Sequence, residues 1–155
     1  MVEQDSAVSM SPTMRFDQTP SGIFLLVHSL QAPSADEWSA HVDAMERDIR
    51  KILGVLVVSG GGGAVPNAAQ RRLVASMFSR QDKHPRVAVL TLSTIERNVI
   101  TAFSWIMRNP IRGFAAGYAA EAFDYLQVPR SSRSELLDQA VDWATALRNP
   151  IPLAL

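Results

Sequence analysis

Residues 54–73 read GVLVVSGGGGAVPNAAQRRL, and the order of chemistry along this stretch decides the fold. GVLVVS is short, β-branched and apolar almost throughout, the pattern of a strand covered on both faces. Four glycines follow. A helical pattern then runs from about Asn67 to Arg80, with Ala69, Leu73 and Met77 on one stripe and Val74 and Phe78 beside it. Strand, loop and helix in this order make one βα step of a parallel sheet.

The same alternation extends to both sides. Upstream, residues 14–18 and 22–30 are apolar-rich runs joined by Thr19-Pro20-Ser21-Gly22, the turn chemistry of a hairpin. Ser34 and Glu37 have capping-box spacing. Trp38, Val42, Met45, Ile49 and Ile52 then mark one face of an amphipathic helix. Downstream, RVAVLTL (residues 86–92) reads as another internal strand, and Ser93 with Glu96 as a second capping box. The helix it opens carries Val99, Ile100, Phe103, Ile106 and Met107 and stops at Asn109-Pro110. A short strand at 111–116 and a brief helix at 119–126 follow, the latter broken by Pro129. Ser132 with Glu135 predicts a third box, starting a helix to about Leu147 with Leu136, Ala140, Trp143 and Leu147 inward.

The expected order is β-β-α-β-α-β-α-β-α-α: an α/β domain with a small mixed sheet, an N-terminal hairpin, parallel inner strands and right-handed helical crossovers. Residues 1–13 are polar and aperiodic and read as a flexible tail, 14–148 as one domain, and 149–155 as an apolar tail that either packs back on the domain or reaches a neighbour.

Composition narrows the classes of function. At 155 residues the chain suits one core. Without cysteine it has no disulfide, thiolate metal site or thiol nucleophile. Fifteen basic and fifteen acidic residues cancel, which argues against a nucleic-acid surface. No run approaches the ~20 apolar residues of a membrane helix, and the first residues lack the basic and apolar regions of a secretory signal. A cytoplasmic protein without membrane insertion is expected.

The layout, with PNAAQRR (66–72), RVAVLTLSTIERNVITAFSWI (86–106) and IRGFAAGYAAEAFDYL (111–126), resembles the STAS family of anti-sigma-factor antagonists. It looks closer to their distant STAS-like relatives with a CRAL-TRIO-type likeness. The likeness spans about residues 17–126 and is one of layout and hydrophobic pattern. It implies a non-enzymatic regulatory or scaffolding module that docks on another protein, itself included, and in some members binds a nucleotide or lipid. The phosphoswitch members carry a serine or threonine, preceded by aspartate, at the start of the second helix. Here neither an aspartate nor a hydroxyl stands there; Asn67 is the nearest candidate, and Ser59 precedes the glycines.

The glycine loop matches neither phosphate cradle. A P-loop needs Lys-Ser/Thr after its last glycine, where this chain has Ala64-Val65. G-x-G-x-x-G fails because Val65 or Pro66 stands at the third glycine position. What survives is a helix N-terminus with Arg71 and Arg72 one turn in, able to welcome an anion, or a connection that simply needs glycine's positive φ. The expected binding surface is Ser59, Gly60, Gly61, Gly62, Gly63, Asn67 and Arg71, with Ser59 the one candidate switch. The alternative is a small-molecule module with an apolar lipid pocket, or an anion or nucleotide site at the same loop.

No catalytic residue, metal site or cofactor is implied. His28, His41 and His84 lack metal-ligand spacing, and His28 reads as a satisfied strand residue. Ser59 lacks the nucleophile elbow, which would need glycine at Val57. Trp38, Trp105 and Trp143 read as core; for Trp105, which falls off its helix's main stripe, the alternative is a partner or a pocket.

Overall fold

The computed structural model describes residues 12–61, 65–107 and 110–155, with 102–107 described by their helical backbone alone. The strands are β1 (Met14–Gln18), β2 (Ile23–His28), β3 (Gly54–Val58), β4 (Arg86–Thr91) and β5 (Ile111–Ala115). The helices are α1 (Ala35–Asp48), α2 (Ala68–Ser79), α3 (Thr94–Met107), α4 (Ala119–Leu126) and α5 (Arg130–Ala146), in the expected order along the chain. The sheet is mixed, with spatial order β1-β2-β3-β4-β5, β1 antiparallel and the rest parallel. Each crossover steps one strand in the same direction, so right-handed connections place α1, α2 and α3 over one face. Helices α4 and α5 cover the other.

Side-chain alternation divides the core accordingly. Ile23, Leu25, Val27, Leu56, Val58, Ala88 and Leu90 pack against Ala119, Ala122, Phe123, Leu136, Ala140 and Trp143 of α4 and α5. Phe24, Leu26, Val55, Val87 and Val89 face Trp38, Val42 and Met45 of α1 and Met77 and Phe78 of α2.

Helix starts show how local polar chemistry departs from the sequence pattern. At α1, Ser34 Oγ accepts from the Glu37 N–H (3.2 Å), as a capping box requires. The Glu37 carboxylate, however, accepts from the Thr13 and Met14 N–H groups and from both the Thr13 and Ser34 hydroxyls. Thr13 is thereby buried and belongs to the domain rather than to the tail. Of the rest of that tail, Pro12 is exposed and residues 1–11 lie outside the described residues.

At α2 an unanticipated box forms: Asn67 Oδ1 accepts from Gln70 N–H (2.8 Å) and Gln70 Oε1 from Asn67 N–H (2.9 Å). Gln70 turns inward because its amide donates to the Pro33 carbonyl (2.9 Å) and its own carbonyl accepts from Trp38 Nε1 (2.9 Å). The buried face of α2 is therefore Gln70–Met77–Phe78, and Ala69 and Leu73 of the expected stripe are exposed. The third expected box does not form. Pro129, at φ −58° and ψ 141°, already supplies the turn into α5, which places Ser132 inside the helix.

The C-terminal segment packs back on the domain. Asn149 Nδ2 donates to the carbonyls of His28 (2.9 Å) and Ser59 (3.2 Å), tying the ends of β2 and β3, and Ile151 is buried on the α4–α5 face. No helix among the described residues is long and apolar enough to cross a membrane.

Candidate functional site

The helices over the α1–α2–α3 face do not close it. Helix α2 packs on α1, while α3 packs chiefly on β5. Gly113 permits that seat: a Cβ there would meet Arg97 Cγ at 3.1 Å and Arg97 Cα at 3.3 Å. Between α2 and α3 the sheet offers mainly valines, and a cavity of about 190 Å³ remains.

The parallel register arranges its floor in rows. Val55, Val87 and Ile111 form the row nearest the amino ends of the strands, and Leu26, Val57 and Val89 the middle row. His28 and Ser59 follow at the carboxyl ends of β2 and β3. Trp38, His41 and Met45 of α1, Val74 and Phe78 of α2, and Val99 and Ile100 of α3 make the walls. Arg71 and Glu96, from the first turns of α2 and α3, and Val65 and Pro66, which precede α2, complete the lining. The cavity is thus apolar toward the strand amino ends and polar toward the carboxyl ends, the side on which open parallel sheets receive ligands.

Its polar groups are held in unusual states. His28 and His41 are buried and flank Trp38, with ring centroids 6.2 Å and 4.5 Å from the indole. Burial pushes the His28 imidazole down to about 4, against the pull of Glu37. Burial, reinforced by His28, pushes His41 down to about 3, while the Trp38 backbone acts in the opposite direction. Both rings are therefore neutral at neutral pH, each with one N–H and one acceptor nitrogen. Among the described residues, His28 Nδ1, His41 Nδ1 and Glu96 Oε2 are buried without a hydrogen-bond partner. Glu96 belongs to a half-made capping box: its N–H donates to Ser93 Oγ (3.0 Å), but the Ser93 N–H donates to Thr91 Oγ1 (3.1 Å) instead of to the Glu96 carboxylate. Burial works to raise the Glu37 carboxyl, but bonds from Thr13, Ser34 and Met14 outweigh it and hold it below the usual range.

The residues expected at the glycine loop separate. Ser59 and Arg71 both line the cavity. Ser59 is buried, its Oγ accepting from the Gly61 N–H (3.0 Å), and Arg71 Nη1 donates to the Pro66 carbonyl (2.7 Å). Gly61 has the positive φ, 68°, that the connection was expected to need. Gly60 is half-buried, and Asn67 is exposed with its side chain spent on the α2 cap. Gly62 and Gly63 lie outside the described residues, as does the Trp105 side chain.

The two histidines and Glu96 are what the sequence pattern missed. His28 does not have the satisfied side chain expected of it. A histidine ending the otherwise apolar run IFLLV, and another one turn beyond Trp38, were the available signals. No group of three or more His, Asp or Glu among the described residues could hold a metal ion.

No protein-family model matches the chain, and no curated protein or solved structure matches it.

Proposed function

We propose that this protein is a non-enzymatic binding module whose ligand is a small molecule with an apolar body, held between the sheet and helices α2 and α3. The observation that carries this reading is the cavity: open space over an apolar floor of sheet side chains that α2 and α3 leave uncovered. Volume limits the choice. An apolar protein cavity of ~150 Å³ holds benzene, and drug-sized ligands occupy ~300–1,000 Å³. At about 190 Å³ this cavity has room for one ring or a short chain.

A second reading, docking on another protein, is favoured by a strip of apolar side chains at the start of α3. Leu92, Ile95 and Val99 are 62%, 77% and 56% exposed, and Val99 also borders the cavity. The STAS-like layout points the same way.

Native mass spectrometry of the protein purified from its own cells separates the two. The proposal expects a small added mass that is released on denaturation. An added protein chain with no small molecule would favour docking, and a bare monomer would count against both.

A further inference from the structure

The two edges of the sheet are finished differently, and the difference does not depend on the cavity. We infer that β5 accepts an added strand from another protein, an extended segment with acidic side chains at alternate positions.

Strand β1 is largely closed to such a partner. Ser29 N–H donates to the Thr13 carbonyl (2.8 Å) and Thr19 N–H to the Ile23 carbonyl (2.9 Å). With the antiparallel register, these bonds turn the backbone of Arg15 and Asp17 toward β2 and that of Met14, Phe16 and Gln18 outward. Side chains then take two of the three outward N–H groups. Met14 donates to Glu37 Oε2 (3.2 Å) and Gln18 to Asp17 Oδ1 (2.8 Å). An edge whose donors are spent offers little to a further strand.

Strand β5 lacks this protection. Val87 N–H donates to the Pro110 carbonyl (2.8 Å), so in the parallel register Arg112 and Phe114 present their backbone to β4. Ile111, Gly113 and Ala115 direct theirs away from it. The Ala115 carbonyl accepts from Tyr118 N–H (2.9 Å), and the others make no hydrogen bond among the described residues. Gly113 has no side chain, so its partial exposure is exposure of backbone.

Charge specifies the partner. Arg112 and Arg86 are exposed on the α4–α5 side of this edge, and neither pairs with a carboxylate among the described residues. Their guanidinium groups lie 5.1 Å from the Phe114 ring centroid and 5.3 Å from that of Tyr125, and these rings are 5.8 Å apart. Arg86 also donates to the Tyr125 carbonyl (2.8 Å). Guanidinium groups already held over rings lose less freedom when an anion arrives. A residue added opposite Arg112 shares its face of the sheet, so a carboxylate there meets the unpaired charge. A second copy of β5, IRGFA, would bring arginine and no carboxylate.

The test is an NMR titration of the isotope-labelled full-length protein with a capped TVEVEVT peptide, whose glutamates share one face and whose valine N–H groups meet β5. The amides of Ile111, Gly113 and Ala115 are expected to shift, and a TVKVKVT peptide should bind ~10-fold more weakly. N-methylation of the valines, which keeps the charge and removes the backbone donors, should abolish binding. Arg112→Glu changes an exposed side chain and should reverse the preference to the lysine peptide. Equal binding of the two charged peptides, or an unaltered preference in Arg112→Glu, would overturn the acidic partner. Full binding by the N-methylated peptide, shifts at Phe16 instead, or no shift at ~1 mM peptide would overturn strand addition. Shifts at β5 that follow protein concentration without peptide would replace the proposed partner with a second copy.

Discussion

Val57 and Val58 are neighbours in β3, yet they meet different surroundings because successive strand residues point to opposite faces. Val58 is fully buried among Leu90, Val27 and the side chains of α4 and α5. Val57 is only partly buried and borders a cavity. The α4–α5 face is closed by alanines and large rings that interlock, with Ala119, Ala122 and Ala140 letting helix backbones approach the sheet around Phe123 and Trp143. The α1–α3 face leaves a cavity and keeps buried histidines beside it. One sheet thus carries a face that secures the fold and a face that leaves room.

The largest test of this contrast is truncation of a central ring on each face. Phe123→Ala should cost ~3–5 kcal/mol in chemical denaturation, since it opens a cavity in close packing. Phe78→Ala should cost at least ~1 kcal/mol less, because its ring already borders open space. Equal losses would mean that the two faces are packed alike.

Acidification comes next. His28 and His41 have pKa values lowered on folding from 6.5 to about 4 and about 3. Below pH 6.5 the unfolded chain takes up protons that the folded chain refuses, so stability falls as the pH drops through that window and is flat above it. His28 alone should account for on the order of 3 kcal/mol at its lower end. The Glu37 carboxylate, held below its ordinary 4.5, adds a loss at the acid end. Urea midpoints measured across this range check the slope, and His28→Phe should flatten it. An unchanged slope would remove His28 from the account.

A smaller effect separates the two valines. Val58→Leu overfills the closed face and should cost ~1–3 kcal/mol. Val57→Leu grows into free volume and should be close to neutral, while weakening any ligand that needs the space. Smallest is Asn67→Ala, which removes the α2 cap and should cost ~1 kcal/mol without changing ligand affinity. A large loss of binding in that variant would return the ligand to the glycine loop.

The expected order of elements matches the structure because periodicity reports burial directly: IFLLV, GVLVV and RVAVL are internal strands, and the α1 stripe from Trp38 to Ile52 is buried as spaced. Polar side chains that work inside the core were not readable in the same way. Gln70 turned the face of α2 because it has partners in Pro33 and near Trp38, which are remote in sequence. Asn149 clamps two strand ends from a segment that composition alone left either packed or free. The site was half legible. Ser59 and Arg71 were expected near the glycine loop, and both border the cavity. His28, His41 and Glu96 come to line one cavity only through the crossovers, a placement with no trace in local spacing.

Xenon binding, followed by methyl NMR, would show whether the α1–α3 face holds open space, because xenon enters apolar cavities without needing any polar contact. Dose-dependent shifts are expected at Val57, Val89 and Ile100, with Val58, Leu90 and Leu136 unmoved. Shifts confined to the α4–α5 face, or none on either, would contradict it.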